Sequence, residues 1–395
     1  MMLAERIGRI ELSPTFRINA RAKRLQAEGI DVLDFSVGEP DFPTPAAAKT
    51  AGIDAIAHDV TKYTANEGTV ALRRAIADKL RDDNGLAYDL DEILVSPGAK
   101  ASIFCAAMAL FGPDDEVLIP APYWVSYPEQ VRLAGATPVV VPAKESAGFK
   151  LTASDLERAI GPKTKGLILN YPCNPTGACY DGVELASLAR VAASRGLSII
   201  ADEIYEKLVY DGLTFTSIAA VSREAKESTV VVNGMSKAFA MTGWRLGYAA
   251  GPKDVIEAMG RVQSHSTSHP ASMAQAAGEV ALRRAADEVR AMTAEFAKRR
   301  DAMVAGIAKL PGFSCVTPSG AFYVFPNVSG LFDRSIGGRT VSSGQDVAEA
   351  LLDTARVAVV PGEAFGSRDH VRLSFSCALP RIEEGLTRIA RAIVA

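Results

Sequence analysis

Short apolar runs alternate with helical segments through much of this chain, and this alternation constrains the fold more than any other feature. The runs are rich in Val, Ile and Leu and cover residues 93–95, 116–119, 137–141, 166–170, 197–201, 230–233 and 246–250. Helical segments, such as 99–111 and 181–195, separate several of them. Strands that alternate with helices form parallel sheets with helices on both faces. The sequence therefore predicts an α/β fold with a mainly parallel central sheet flanked by helices.

The pattern changes after Pro252. Helical segments and short apolar runs then follow at 254–263, 273–310, 313–316, 322–325, 357–360, 371–375 and 382–393. This mixture predicts a smaller α+β domain behind the central sheet. We predict an N-terminal arm and part of the small domain in residues 1–45, a large domain in 46–285 and a C-terminal small domain in 286–395. Residues 329–344 are rich in Gly and Ser, which predicts a mobile loop.

Charge and cysteine usage limit which partners, metal sites and compartments we expect for this protein. The formal net charge is −3 and charges of both signs are interspersed, which argues against a nucleic-acid face or a membrane-binding helix. No apolar run approaches the ~20 residues of a membrane span, and residues 1–6 lack the apolar core of a signal peptide. The five cysteines are scattered without metal-ligand spacing, so we expect reduced thiols, no metal site and a cytoplasmic protein.

Several well-known catalytic motifs are missing from the sequence. It contains no G-x-S-x-G, no P-loop and no G-x-G-x-x-G, and none of its four histidines lies in a nucleophile motif. These observations argue against an esterase, a phosphate-hydrolysing NTPase and a nicotinamide enzyme.

Lys237 is the first candidate catalytic residue. It follows the β-branched run 230–232, the turn signal at residues 233–234 and Ser236, among small and apolar neighbours. Ligands bind at strand ends in open α/β sheets, and poor solvation lowers the pKa of a lysine, leaving the neutral amine that acts as a nucleophile. A lone lysine in such a loop is more often a surface residue, so the interpretation depends on the rest of the chain.

Two other predicted strands end in polar residues. Asp202 and Tyr205 close the run 197–201, although strands also end in Asp for turn reasons. Residues 170–177 place two prolines and two asparagines at another strand end, a density that favours a rigidly oriented polar group such as Asn174. The Asn174–Pro175 bond is a candidate cis peptide.

Two further loops complete the set. Residues 96–100, which include Ala99 and Lys100, link a strand to a helix through small residues, and form either an anion-binding helix start or a simple tight turn. Trp124 also follows a strand, and taken alone it is expected in the core rather than against a ligand.

Together these features resemble a known family. In chain order they are an anion loop, an aromatic residue, an Asn loop, an Asp with a Tyr, and a Ser-Lys pair followed by Arg245. The chain resembles the class I pyridoxal-phosphate-dependent aminotransferases of fold type I, and among them the bacterial aspartate/prephenate aminotransferase branch. The resemblance extends from residues 36–41 to 371–374, and its most specific matches are 174–177 and 236–245.

The resemblance implies pyridoxal 5′-phosphate as cofactor and assigns three catalytic residues. Lys237 would hold the cofactor covalently and move the substrate's α-proton. Asp202 would keep the pyridine nitrogen protonated, and Tyr205 would hydrogen-bond the ring's 3′ oxygen together with Asn174. Trp124 would stack on the ring face.

The resemblance also implies how the phosphate is held. Ser236, Arg245 and the backbone N–H groups of Ala99 and Lys100 would bind it. Tyr63 matches a tyrosine that reaches the neighbouring subunit's phosphate, which implies a homodimer.

The expected substrates are an amino acid and a 2-oxo acid. Arg372 would clamp the substrate α-carboxylate through a planar two-point contact, and Gly38, Trp124 and Asn174 would also contact the substrate. Lys100 matches a lysine near the distal carboxylate of dicarboxylic substrates. This match favours aspartate as donor and 2-oxoglutarate as acceptor, in a ping-pong cycle.

Other activities remain open at this stage. Aromatic-amino-acid, prephenate or alanine transamination are alternatives, and the acid at Glu11 argues against prephenate because members active on it tend to carry a basic residue nearby. A lyase or decarboxylase on the same fold is a second enzyme class. A transcription regulator would need a preceding DNA-binding domain, but only some thirty residues precede the Gly38 motif.

Overall fold

The computed structural model describes residues 3–10 and 15–394, without the side chains of residues 6, 15–17 and 19. Its strands are β1 (Leu33–Asp34), β2 (Ile93–Ser96), β3 (Glu116–Ala121), β4 (Thr137–Pro142), β5 (Thr164–Asn170), β6 (Ser198–Asp202), β7 (Thr229–Gly234), β8 (Gly247–Ala250), β9 (Tyr323–Val324), β10 (Ser335–Ile336), β11 (Arg339–Thr340), β12 (Val357–Ala358), β13 (Val360–Pro361) and β14 (Val371–Ser374). Its α-helices are α1 (Thr15–Ala27), α2 (Ala46–Ala57), α3 (Val70–Asn84), α4 (Ala99–Leu110), α5 (Ser126–Leu133), α6 (Ala153–Ala159), α7 (Gly182–Ser194), α8 (Arg223–Ser228), α9 (Lys253–Ser264), α10 (Ser272–Arg284), α11 (Ala286–Ile307), α12 (Gly344–Thr354) and α13 (Leu379–Val394).

The central sheet has seven strands in the order β2-β8-β7-β6-β5-β3-β4. All neighbouring pairs are parallel except those of β8, which runs antiparallel to β2 and β7. The connection from β7 to β8 contains only a 3-10 helix, Thr242–Trp244, and no crossover helix that could return the chain for a parallel strand. The prediction of a mainly parallel α/β sheet is confirmed.

Helices cover both faces of this sheet, which explains why its strands read as continuous apolar runs. Successive residues point to opposite faces: Leu167 and Ile199 belong to one apolar cluster, whereas Ile168 and Ile200 belong to another. Local signals set the helix bounds. For example, α7 begins at a capping box formed by Asp181 and Glu184.

The last third of the chain packs around a separate group of short strands. The sheet β13-β14-β9 is antiparallel, and β1 pairs with β12 in parallel. One apolar cluster joins Ile18 and Leu33 from the first residues to Phe296, Leu351 and Ile389 from the last. The division at residues 45 and 285 stays a prediction.

Several local expectations differ from the structure. Residues 313–316 form no strand, only an isolated bridge between Ser314 and Asn327, because Pro311-Gly312 and Pro318 flank a run too short to pair further. Residues 329–344 are not simply a loop, since they contain the 3-10 helix Ser329–Leu331 and the β10–β11 hairpin. The helical stretches predicted over 273–310 are, in contrast, confirmed as α10 and α11, which meet at Ala285.

The candidate cis bond is also wrong. Within the described residues the cis peptides are Ala121–Pro122 and Tyr171–Pro172, not Asn174–Pro175. Hydrogen bonds hold the Asn174 loop instead: its N–H donates to Asn170 Oδ1 (2.9 Å), and the Gly177 N–H donates to the Cys173 carbonyl (2.7 Å). Among the described residues, no helix is long and apolar enough to cross a membrane.

Candidate active site

A cavity of about 510 Å³ opens at the carboxyl edge of the central sheet, where β5, β6 and β7 end. Eleven of the twelve predicted site residues line it: Gly38, Ala99, Lys100, Trp124, Asn174, Asp202, Tyr205, Ser236, Lys237, Arg245 and Arg372. They come from seven separate stretches of the chain. The structure therefore brings together side chains that the sequence only suggests as separate strand-end features.

Lys237 lies three residues beyond the end of β7 and is half-buried. Its Nζ donates a hydrogen bond to the Gly38 carbonyl oxygen at 2.6 Å. Burial lowers the pKa of this amine to about 8, and the positive charges of Arg372 and Arg245 act in the same direction. At neutral pH an appreciable fraction of Lys237 is thus the uncharged amine, the form that reacts with carbonyl groups.

Asp202 ends β6 and is only 4% exposed. Tyr127 Oη donates to its Oδ2 at 2.6 Å, and the Ile204 N–H donates to its Oδ1 at 3.3 Å. Burial raises the pKa of Asp202 to about 6, while these two hydrogen bonds and the charge of Lys237 oppose the rise. A carboxylate in such a place is stabilised further by any cation brought beside it.

An anion cradle forms where β2 leads into α4. Gly98 precedes the helix at φ +91° and has no side chain to cap the first turn, so the N–H groups of Ala99 and Lys100 face outward from the helix start. A Cβ on Gly98 would lie 2.5 Å from Arg245 Nη2, which shows how closely the guanidinium approaches this turn. Ser236 lines the same cavity. A helix start, a guanidinium and a hydroxyl together suit a phosphate group.

Trp124 is half-buried, and it both lines the cavity and packs against an apolar cluster of the core. Its ring meets the Tyr127 ring edge-on at 5.3 Å between centroids. Lys100 Nζ lies 4.9 Å from the Trp124 ring centroid, a cation–π distance. Partial burial and the charge of Arg245 lower the pKa of Lys100.

Arg372 reaches the cavity from β14. It is 5% exposed, and its Nη1 and Nη2 donate to Asn174 Oδ1 (2.9 Å) and the Ser36 carbonyl (2.8 Å). The guanidinium lies 4.4 Å from the Tyr323 ring centroid, and its Nε is buried without a hydrogen-bond partner in the described part of the chain. With a spare donor and no carboxylate partner in the part of the chain that is described, this buried guanidinium is suited to an incoming carboxylate.

The chain is similar over nearly its whole length to proteins of one family. A sequence model of the family "Aminotransferase class I and II" matches residues 30–393. The chain belongs to this family. The aspartate aminotransferase of Geobacillus stearothermophilus is 46% identical over 391 residues, which are 99% of this chain and 98% of that protein. The aspartate/prephenate aminotransferase of Cereibacter sphaeroides is 44% identical over 389 residues, with 98% and 97% covered.

Solved structures agree with this assignment. The crystal structure of the aspartate aminotransferase from Rhizobium meliloti superposes with a TM-score of 0.97 at 43% identity, covering 100% of this chain and 99% of that one. The aspartate aminotransferase of Thermus thermophilus with maleate gives 0.92 at 41% identity, covering 99% and 100%. The chain is an aminotransferase, and the fold type I prediction is confirmed.

Tyr63 is the predicted site residue that this aminotransferase does not place in its own cavity. Its side chain is 93% exposed and packs edge-on against His269 at 5.5 Å between ring centroids. A tyrosine that serves a neighbouring subunit would stand out from its own chain in this way. Its role there stays a prediction.

Sequence reasoning missed two tyrosines in the aminotransferase cavity. Tyr127 donates to Asp202, and Tyr323 Oη lies 3.0 Å from Tyr205 Oη while its ring faces Arg372. Tyr127 lies three residues after Trp124, about one helical turn, and this spacing could have marked it as a cavity residue. Tyr323 lies in a two-residue strand of the C-terminal part, and no local pattern marks it.

Proposed function

We propose that the chain is a pyridoxal-phosphate-dependent aminotransferase that transfers the amino group of aspartate to 2-oxoglutarate. The observation that carries the proposal is one cavity holding a lysine amine with pKa about 8, a buried aspartate and two separate cations, Arg372 and Lys100. The relatives named aspartate aminotransferase support the choice of donor. Maleate, the ligand named with the Thermus structure, is a four-carbon dicarboxylate like aspartate.

The residues present fit pyridoxal phosphate at each end of the cofactor. Ser236, Arg245 and the free N–H groups at the start of α4 would hold the phosphate. Asp202 would accept the hydrogen bond of the protonated ring nitrogen, with Tyr127 fixing the carboxylate. Asn174 Oδ1 already accepts from Arg372, so its Nδ2 is the atom left to donate to the ring's 3′ oxygen, beside Tyr205. Trp124 would cover one face of the ring.

The protein's own proton chemistry centres on Lys237. When bound, the cofactor supplies an electron sink that stabilises negative charge on the substrate α-carbon. Lys237 Nζ would take the proton from that carbon and return it one step later, which requires a pKa close to working pH. Asp202 would hold a proton at the ring nitrogen throughout. Gly38 would supply a backbone acceptor that orients the amine, as its 2.6 Å contact indicates.

Two cations would divide the recognition of a dicarboxylic substrate. Arg372 would take the α-carboxylate, because its planar guanidinium is buried and oriented by Asn174 and Ser36. Lys100 would take the distal carboxylate from the Trp124 side of the cavity. Among the described residues, no carboxylate forms an ion pair with Lys100.

The active form would be a homodimer. Apolar side chains on and beside α2 are exposed: Ile53 is 66%, Ile56 is 56% and Val60 is 47% exposed. These residues lie near Tyr63 in the sequence, so a dimer interface formed here would bury the apolar patch and also bring the tyrosine to the phosphate in the neighbouring subunit.

We propose a cytoplasmic location for the enzyme, because the described cysteines are free thiols.

Prephenate is a second candidate acceptor, favoured by the Cereibacter relative named for it. Glu11, which argues against prephenate, lies outside the described residues, and so do the other residues of 11–14. Transamination of prephenate with aspartate as donor would decide this point.

A panel of amino donors against several acceptors tests the proposal. Aspartate, glutamate, alanine and phenylalanine would be paired with 2-oxoglutarate, oxaloacetate and phenylpyruvate at saturating pyridoxal phosphate. We expect the highest kcat/KM for aspartate with 2-oxoglutarate. Release of ammonia or carbon dioxide in place of amino transfer would instead identify a lyase.

A further inference from the structure

Two buried tyrosine hydroxyls meet in the wall of the active-site cavity, where Tyr205 Oη and Tyr323 Oη lie 3.0 Å apart. We propose that Tyr323 is a positioning residue, which donates a hydrogen bond to Tyr205 Oη and so directs the hydrogen of Tyr205 into the cavity. The inference rests on the proposed function and deepens it, because Tyr205 is the residue assigned there to the 3′ oxygen of the cofactor.

The pairing of β9 with β14 places Tyr323 beside Arg372. Tyr323 lies opposite Ser374 in this antiparallel pair. Residues two positions apart on a strand point to the same face, so Arg372 is the diagonal neighbour of Tyr323 on that face. The Arg372 guanidinium accordingly lies 4.4 Å from the centroid of the Tyr323 ring. Tyr323 therefore contacts the buried arginine through its ring and Tyr205 through its hydroxyl.

The number of hydrogens limits what the two hydroxyls can do. Each phenol carries one hydrogen, and only one of the two can lie between the oxygens. Among the described residues, neither hydroxyl has another hydrogen-bond partner. If Tyr323 donates, the hydrogen of Tyr205 is left to point into the cavity that both residues line. If Tyr205 donated instead, it would have no hydrogen left for a ligand.

The charge of Arg372 favours Tyr323 as the donor. Burial raises the pKa of Tyr205 well above its ordinary value. Burial also raises the pKa of Tyr323, but the adjacent positive charge of Arg372 opposes this rise. The more acidic hydroxyl of such a pair is the better donor, because a nearby cation polarises its O–H bond. Tyr323 is the more acidic of the two, so its hydrogen lies between the oxygens.

This direction would affect the nitrogen that joins the cofactor to Lys237. Negative charge on the 3′ oxygen stabilises a proton on that nitrogen, and a donor to the oxygen withdraws part of the charge. A strong hydrogen bond from Tyr205 would therefore lower the pKa of the nitrogen. A hydroxyl that accepts one hydrogen bond donates the next one more strongly, by roughly 10–30%. Tyr323 would thus lower the same pKa by acting through Tyr205.

Visible spectroscopy of the full chain loaded with pyridoxal phosphate measures this pKa, because the absorption band moves when the nitrogen loses its proton. Tyr205→Phe should raise the pKa by about one or more, the effect of one hydrogen bond to a charged oxygen. Tyr323→Phe should raise it by about 0.3, a fraction of that value.

Tyr210→Phe is the matched control for a merely structural effect. Tyr210 is also a buried tyrosine, and its hydroxyl donates to the Ala321 carbonyl, two residues before Tyr323. It does not line the active-site cavity. The control should therefore change the pKa of the nitrogen by less than about 0.1.

The double variant Tyr205→Phe/Tyr323→Phe separates positioning from a direct effect on the cofactor. If Tyr323 acts through Tyr205, the double variant should have the same pKa as Tyr205→Phe within about 0.1. An unchanged pKa in Tyr323→Phe, an equal rise in Tyr210→Phe, or additive rises in the double variant would overturn the inference while leaving the proposed function intact. An unchanged pKa in Tyr205→Phe would instead overturn the proposed contact of Tyr205 with the 3′ oxygen, and this inference with it.

Discussion

Replacement of Lys100 by alanine should change which amino donors the enzyme prefers. Lys100 is exposed at the cavity, and its Nζ lies over the Trp124 ring, without an ion pair to any carboxylate that the structure describes. It is therefore free to meet the distal carboxylate of aspartate or glutamate, whereas alanine and phenylalanine have no group for it to bind.

The size of this effect follows from the exposure of Lys100. A fully exposed ion pair contributes about 0.2–1 kcal/mol, and a charge-assisted hydrogen bond about 1.5–3 kcal/mol. Lys100 is exposed at the cavity, but partial burial lowers its pKa, so the contact lies between these classes. A value of about 1.4 kcal/mol corresponds to a tenfold change. We expect the ratio of kcat/KM for aspartate over phenylalanine to fall about tenfold.

Steady-state kinetics at saturating pyridoxal phosphate measure this ratio, because Lys100 also borders the phosphate cradle. Lys23→Ala is the matched control, since Lys23 is another exposed lysine that lines the cavity. Arg372→Ala should lower kcat/KM for every donor by a factor that corresponds to roughly 3 kcal/mol or more. It should leave the ratio of aspartate to phenylalanine unchanged. If Lys100→Ala leaves the ratio unchanged, or if Lys23→Ala lowers it equally, the assignment of the distal carboxylate to Lys100 is wrong. Specificity would then lie elsewhere, and residues 15–17, whose side chains are not described, would be the next to test.

Three further predictions concern the catalytic groups. Asp202→Asn should bind pyridoxal phosphate but slow amino transfer more than about a hundredfold, the usual cost of losing a preorganised charge; a variant within tenfold of wild type would contradict the pairing. Tyr127→Phe removes a hydrogen bond that lowers the pKa of Asp202, so that pKa should rise and the acid limb of the pH–kcat/KM profile should move to higher pH; an unmoved limb would exclude this role. The rate of covalent attachment of pyridoxal phosphate should rise with pH and level off above about 8, the pKa of Lys237, because only the neutral amine reacts; a rate still rising near pH 10 would indicate an ordinary lysine.

The sequence could predict much of the site because parallel strands bring their carboxyl ends to one edge. Asn174, Asp202 and Lys237 each follow an apolar run, so the alternating pattern alone indicates that they meet. The direction of β8 was not predictable in this way, because the apolar run 246–250 reads the same in either orientation.

The contacts that tune these residues depend on long-range packing. Tyr127 and Asp202 are 75 positions apart, and Tyr205 and Tyr323 are 118 apart. No local pattern encodes such pairs, since they arise only when α5 and β9 pack against the ends of the sheet. The position of Tyr63 is also visible only in the fold, where its side chain is exposed outside its own cavity.

The most direct test of the account is to identify the lysine that carries the cofactor. The enzyme would be loaded with pyridoxal phosphate, reduced with borohydride and digested, and the modified peptide located by mass spectrometry. The account predicts one modified residue, Lys237, with a visible absorption band before reduction that Lys237→Ala lacks, together with the loss of most amino transfer in that variant. Modification of another lysine, or near-normal turnover by Lys237→Ala, would contradict it.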